Sequence, residues 1–115
     1  MRVYDMPRQS GKSTRIAENV KWLAAMTNDP IVVISPRHAM ALKMQRMIGD
    51  EENVVCIKAD YNRVRLMKAL NPAYVFVDEY ALIDVNLLKC IKSLFGDILV
   101  MYGTPPEEPW DRLNA

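Results

Sequence analysis

Short apolar runs punctuate this chain at near-regular intervals, and they limit its fold more than any other feature. "IVVIS" (Ile31–Ser35), "NVVCI" (53–57) and "AYVFV" (73–77) carry no polar alternation, which marks strands buried on both faces. Arg2–Asp5 and residues 98–102 read as a first and a fifth strand. The segments between them have helical spacing. Residues 12–26 place Ile16, Val20, Leu23 and Ala24 on one side and stop at Asn28-Asp29-Pro30. Residues 37–48 align Met40, Met44, Met47 and Ile48, a core-facing stripe rather than a ligand box. Asp60 is placed to cap a helix running to residue 70, closed by Asn71-Pro72. Asp84 is placed to cap another through residue 94, with Leu87, Leu88, Ile91 and Leu94 apolar and Gly96 as its stop. Strands alternating with helices predict one α/β domain of about five mostly parallel strands flanked by helices. Its core is expected over residues 1–105, with a polar, proline-rich tail at 106–115.

Composition excludes several classes. The 115 residues fit one small domain, and 50% apolar with 25% charged residues is ordinary for a soluble protein. No apolar run approaches the roughly 20 residues that span a bilayer. No signal peptide is visible, so a cytoplasmic location without membrane contact is expected. Cys56 and Cys90 stand alone and read as buried thiols in a reducing compartment, and His38 is the single histidine, so no zinc cluster is expected. Net charge is only +1, but it is uneven. Residues 1–70 hold 12 Lys/Arg against 7 Asp/Glu, and residues 71–115 hold 3 against 7. That asymmetry fits either an ordinary solvated surface or a weakly basic face towards phosphate with acidic groups reserved for metal.

"DMPRQSGKST" (5–14) follows the first strand and opens the first helix. A phosphate-binding loop needs this context, because it aims backbone N–H groups and a helix N-terminus at a polyphosphate. Gly11 permits close backbone approach, Lys12 is suited to β- and γ-phosphates, and Ser13 offers a hydroxyl to Mg²⁺. Met6 stands where such loops usually carry their first glycine. A Gly-Lys-Ser triplet arises often by chance, so its partner matters. "YVFVDE" (74–79) is an apolar strand ending in two carboxylates. Asp78 is suited to hold Mg²⁺, and Glu79 to polarise a water for attack on a γ-phosphate. Both motifs fall at carboxyl ends of expected strands, where parallel sheets bind ligands. The two strands are expected to be neighbours that bring Lys12 and Asp78 to one metal-bound nucleotide.

"PRQSGKST" resembles the Walker A segment of the large terminase subunits of tailed phages, DNA-packaging motors related to superfamily-two helicases. "VFVDEYALI" (75–83) is similar to that family's Walker B segment, and "VMYGTPPE" (100–107) to its coupling motif. "VISPRHAMALKMQRMI" (33–48) resembles motif Ia of terminases and helicases. The resemblance covers most of the chain in the family's order, and implies a RecA-like P-loop domain that binds ATP and Mg²⁺ and acts on DNA. The chain starts on its first strand and stops soon after the coupling motif. It is therefore expected to lack the upstream adenine-recognition segment, a nuclease domain and a second RecA-like domain, and not to package or unwind alone.

The resemblance also implies residue roles. Arg8 would stabilise γ-phosphate charge alongside Lys12 and Glu79, Gln9 would orient the loop or touch the nucleotide, and Ser10 would contribute its backbone. Thr14 would cap the helix or face the α-phosphate. Thr104 would sense the γ-phosphate, or be a turn threonine. Arg37 and His38 would meet a DNA phosphate, or form a surface pair. Arg63, Arg65 and Lys68 read as a solvated helix face. Trp110 and Arg112 would dock a neighbour, in a homo-oligomer or a complex in which a partner subunit supplies an arginine. If phage-encoded, the protein would work in the host cytoplasm. Two other readings stay open: a nucleoside kinase of the type-two thymidine kinase kind, and a nucleotide-switched adaptor that does not hydrolyse.

Overall fold

Five strands form one sheet, and every pairing in it is parallel. They are β1 (Arg2–Asp5), β2 (Ile31–Ser35), β3 (Val54–Lys58), β4 (Tyr74–Val77) and β5 (Leu99–Gly103). Their order is β1-β5-β4-β2-β3. Four helices alternate with them: α1 (Lys12–Met26), α2 (His38–Ile48), α3 (Tyr61–Ala69) and α4 (Val85–Phe95). The protein is therefore α/β, with a parallel sheet flanked by helices. This computed structural model describes residues 1–7 and 11–104.

Strand alternation divides the core in two. Ile31, Val33 and Phe76 face α1 and α2, where they pack with Ile16, Val20, Met44 and Ile48. Val32, Ile34, Val75 and Val77 face α3 and α4, where they meet Val64, Leu87, Ile91 and Phe95. All five residues of β2 are buried, as a two-face strand requires. All four residues of β1 are exposed, because this strand is an edge that pairs only with β5. The methionine stripe is core on its inner side: Met44 is buried and Met40 and Met47 are half-buried.

Asp60 and Asp84 cap α3 and α4 as expected, accepting from Arg63 N–H and from the N–H groups of Asn86 and Leu87. Several boundaries differ. Arg37 is extended and its carbonyl accepts from Ala41 N–H, so it is the cap of α2 rather than its first residue. Asn53 precedes β3 because its side chain donates to the carbonyls of Thr27 and Asp29, tying down the turn before β2. Gly96 does not stop α4 by turning left-handed. Its backbone stays helical (φ −41°, ψ −48°) and leads into a 3-10 turn over Gly96–Ile98, so β5 begins at Leu99. Lys68 is more than a solvated charge: it donates to the Leu94 carbonyl over the Phe95 ring, joining α3 to α4. Arg65 lies over the Tyr61 ring. Cys56 and Cys90 are half-buried rather than buried, and burial pushes the Cys56 thiol up to about 11.

One expected adjacency is wrong, with consequences for the site. β1 and β4 are not neighbours; β5 lies between them and pairs with both. The end of β5 is thus interposed between the two motifs. No helix among the described residues is long and apolar enough to cross a membrane.

Candidate active site

The carboxyl ends of β1, β5 and β4 converge on the first turn of α1. Gly11 enters that helix with φ +78°, a left-handed conformation that glycine adopts without penalty. Gly11 has no side chain to cap the helix, and the first turn holds no acidic residue of its own. Thr14 lies exposed in this turn.

Lys12 is buried although charged, with 6% of its side chain exposed. Its ammonium group has three protons and three partners. It contacts Glu79 Oε1 at 2.9 Å and donates to Thr104 Oγ1 and the Pro7 carbonyl, each at 3.1 Å. Each partner comes from a different strand end. Thr104 in turn has long contacts to both Glu79 oxygens, at 3.4 and 3.5 Å. The strand that separates the motifs therefore bridges them.

Ser13 donates its hydroxyl to Asp78 Oδ2 at 2.8 Å. Asp78 is buried, and burial pushes its carboxyl above the ordinary range, assisted by Glu79 and opposed by the Ser13 hydrogen bond and the charges of Lys12 and Lys43. Asp78 Oδ1 has no hydrogen-bond partner among the described residues. A carboxylate oxygen in that condition is costly unless something cationic meets it. Mg²⁺ takes oxygen ligands and is commonly held by one or two carboxylates together with substrate phosphates. Ser13 and Asp78 fit that donor set, and they are the residues that would hold the ion. Among the described residues, no group of three or more His, Cys, Asp or Glu side chains gathers as an independent metal cage.

Glu79 itself is left-handed, with φ +50° and ψ +58°. For a non-glycine residue this costs about 1–3 kcal/mol, and such outliers cluster at functional sites. It follows directly on β4, turns the chain out of the sheet and leads into a 3-10 turn over Tyr80–Leu82.

The structure thus brings together Gly11, Lys12, Ser13, Asp78, Glu79 and Thr104. Arg8, Gln9 and Ser10 lie outside the described residues, as do Trp110, Arg112 and the rest of 105–115. Arg37 and His38 are exposed at the start of α2, at the same carboxyl end of the sheet. Three further residues escaped the sequence. Ser35 is fully buried at the end of β2, one residue beyond the Ile34–Val77 pairing, and its hydroxyl has no partner among the described residues. Tyr80 donates to the Asp5 carboxylate, and that bond, with burial, pushes its phenol up to about 12. Gly103 lies under the Tyr80 ring. Only Gly103 left a signal, since a lone glycine inside a strand often marks close approach by another group.

No protein-family model matches this chain, and no curated protein matches its sequence.

Proposed function

We propose that this chain is the Mg-dependent, ATP-binding and ATP-hydrolysing core of a DNA-translocating motor of the terminase or helicase kind. The observation that carries this reading is a double contact across the sheet: Lys12 meets Glu79 at 2.9 Å while Ser13 meets Asp78 at 2.8 Å. An ammonium group, a hydroxyl and two carboxylates then share one end of a helix with no acidic residue in its first turn. That set has the parts required for phosphoryl transfer to water. Lys12 would bind the β- and γ-phosphates, Glu79 would polarise the attacking water, and Thr104, which touches both, would register the γ-phosphate. Mg²⁺, held by Ser13 and Asp78, would offset charge on the phosphate oxygens.

By the terminase resemblance, Arg8 would add positive charge at the γ-phosphate, and Gln9, Ser10 and Thr14 would line the nucleotide. Exposed Arg37 and His38, at the same end of the sheet, would meet DNA phosphates. An arginine supplied by a partner is typically worth about 10³–10⁵ in rate, so slow turnover by the isolated chain is expected.

The test is phosphate release from Mg·ATP by the purified protein, alone and with single- or double-stranded DNA. Hydrolysis that DNA accelerates supports the motor reading. ADP formation that requires a nucleoside would assign kinase chemistry instead, and tight ATP binding with no release under any condition would assign a switch.

A further inference from the structure

We propose that Tyr80 is a positioning residue for Glu79, which it holds in place by a link across β5 to Asp5 of β1. This inference rests on reading Glu79 as the residue that directs water.

Two non-glycine residues among those described have positive φ, Asn71 and Glu79. Asparagine tolerates that region because its short side chain bonds locally, whereas glutamate has no such compensation. The surroundings must therefore hold Glu79 there, and the next residue supplies the hold. The Tyr80 hydroxyl donates to the Asp5 carboxylate. Asp5 ends β1, which lies two strands from β4, or roughly 10 Å across the sheet. The intervening strand would obstruct that path but for Gly103. A Cβ at Gly103 would collide with the Cδ1 and Cε1 atoms of the Tyr80 ring, so the missing side chain is the notch through which the ring passes.

The link is fixed along its length. Asp5 and Gly103 are register partners in the β1–β5 ladder, and Met6 N–H donates to the Gly103 carbonyl at 2.8 Å. On the other side, the turn after β4 closes through Leu82 N–H to the Glu79 carbonyl and Ile83 N–H to the Tyr80 carbonyl. With Tyr80 pinned at both ends, the Glu79 backbone cannot relax towards an ordinary conformation without breaking one of these contacts. Its carboxylate stays on Lys12. Asp5 also lies two residues before Pro7, whose carbonyl accepts from Lys12. One side chain thus registers the carboxylate and the lysine from opposite sides of β5.

The experiment uses Tyr80→Phe, which removes the hydroxyl and keeps the ring. In Mg·ATP hydrolysis its kcat should fall about 10²-fold, the scale of a small misplacement of a reacting group, while KM does not rise, because opening the Lys12–Glu79 contact relieves competition for Lys12. Added to Glu79→Gln it should cause no further loss. Unchanged kcat, or losses that multiply in the double variant, would overturn the proposal. A second arm needs no activity: crystal structures of wild type and Tyr80→Phe. The Lys12–Glu79 contact should open beyond about 4 Å and Glu79 should leave the left-handed region. An unmoved Glu79 overturns the link. If wild type hydrolyses no ATP, the proposed function is what fails, and the structural comparison still decides the link. Asp5→Ala, at an exposed edge position, removes the acceptor instead should Tyr80→Phe not fold.

Discussion

The Lys12 ammonium and the Glu79 carboxylate neutralise each other at 2.9 Å, with only 6% and 19% of the two side chains exposed. All three lysine protons are committed to groups of the protein itself. A bound triphosphate must compete with Glu79 for Lys12, and Glu79 must be freed before it can act on water. Glu79→Gln removes the competing charge and the basic oxygen together. Mg·ATP should bind about threefold to tenfold more tightly, while turnover falls at least about 10²-fold. Calorimetry and phosphate release check the two halves separately. Weaker binding would mean that the ion pair does not oppose the nucleotide.

Lys12→Ala is the converse change. Charge-assisted hydrogen bonds contribute about 1.5–3 kcal/mol each, so Mg·ATP affinity should drop about 10- to 100-fold. Glu79 and Thr104 lose their shared partner as well, and Glu79 is left near Asp78 with no other ion pair among the described residues. Affinity equal to wild type by calorimetry would take Lys12 out of the nucleotide site.

Asp78 links the site to stability. Burial pushes its carboxyl up, so the folded protein keeps that proton at pH values where the unfolded chain has released it. Stability therefore falls as pH rises from the ordinary aspartate value, about 3.9, through the raised folded value, and is level above it. Asp78→Asn keeps an acceptor for Ser13 and removes the buried charge. Without Mg²⁺ it should raise the melting temperature at neutral pH by about 4 °C or more, near 1 kcal/mol in a domain of this size, and the gain should vanish towards about pH 4. A variant that melts below wild type at neutral pH would show that the buried carboxylate is not a net strain on the fold.

The sheet was legible because strands buried on both faces leave continuous apolar runs, and β2 and β4 are such strands. The two motifs were legible from their context, because each directly follows a segment read as a strand, and because they occur together rather than singly. Strand order was not. Residues 1–5 and 74–77 hold nothing to say that β5 will slip between them, because order is set by how crossovers pack rather than by local pattern. The links that depend on this order, Lys12 to Thr104 and Tyr80 to Asp5, were hidden with it. Helix ends were legible to about a residue: α4 stops at Phe95, directly before Gly96, although that glycine stays helical and opens a 3-10 turn instead of turning left-handed.

Two glycines separated by a few residues should respond oppositely to the same substitution. At Gly103 an added Cβ would meet the Tyr80 ring, and the flanking strands β1 and β4 both pair with β5, so the backbone has little room to yield. Gly103→Ala should destabilise by about 1–3 kcal/mol, the usual range for overpacking, and should displace Tyr80 from Asp5. At Gly96 nothing lies within 4 Å of the added atom and the backbone is already helical. Gly96→Ala should stabilise by about 0.4–1 kcal/mol by restricting the unfolded chain. Urea melts of both variants against wild type measure the contrast. Equal effects would mean that the space over Gly103 is not the constraint. In that case the glycine would be needed for its backbone alone, and Tyr80 could reach Asp5 by another path.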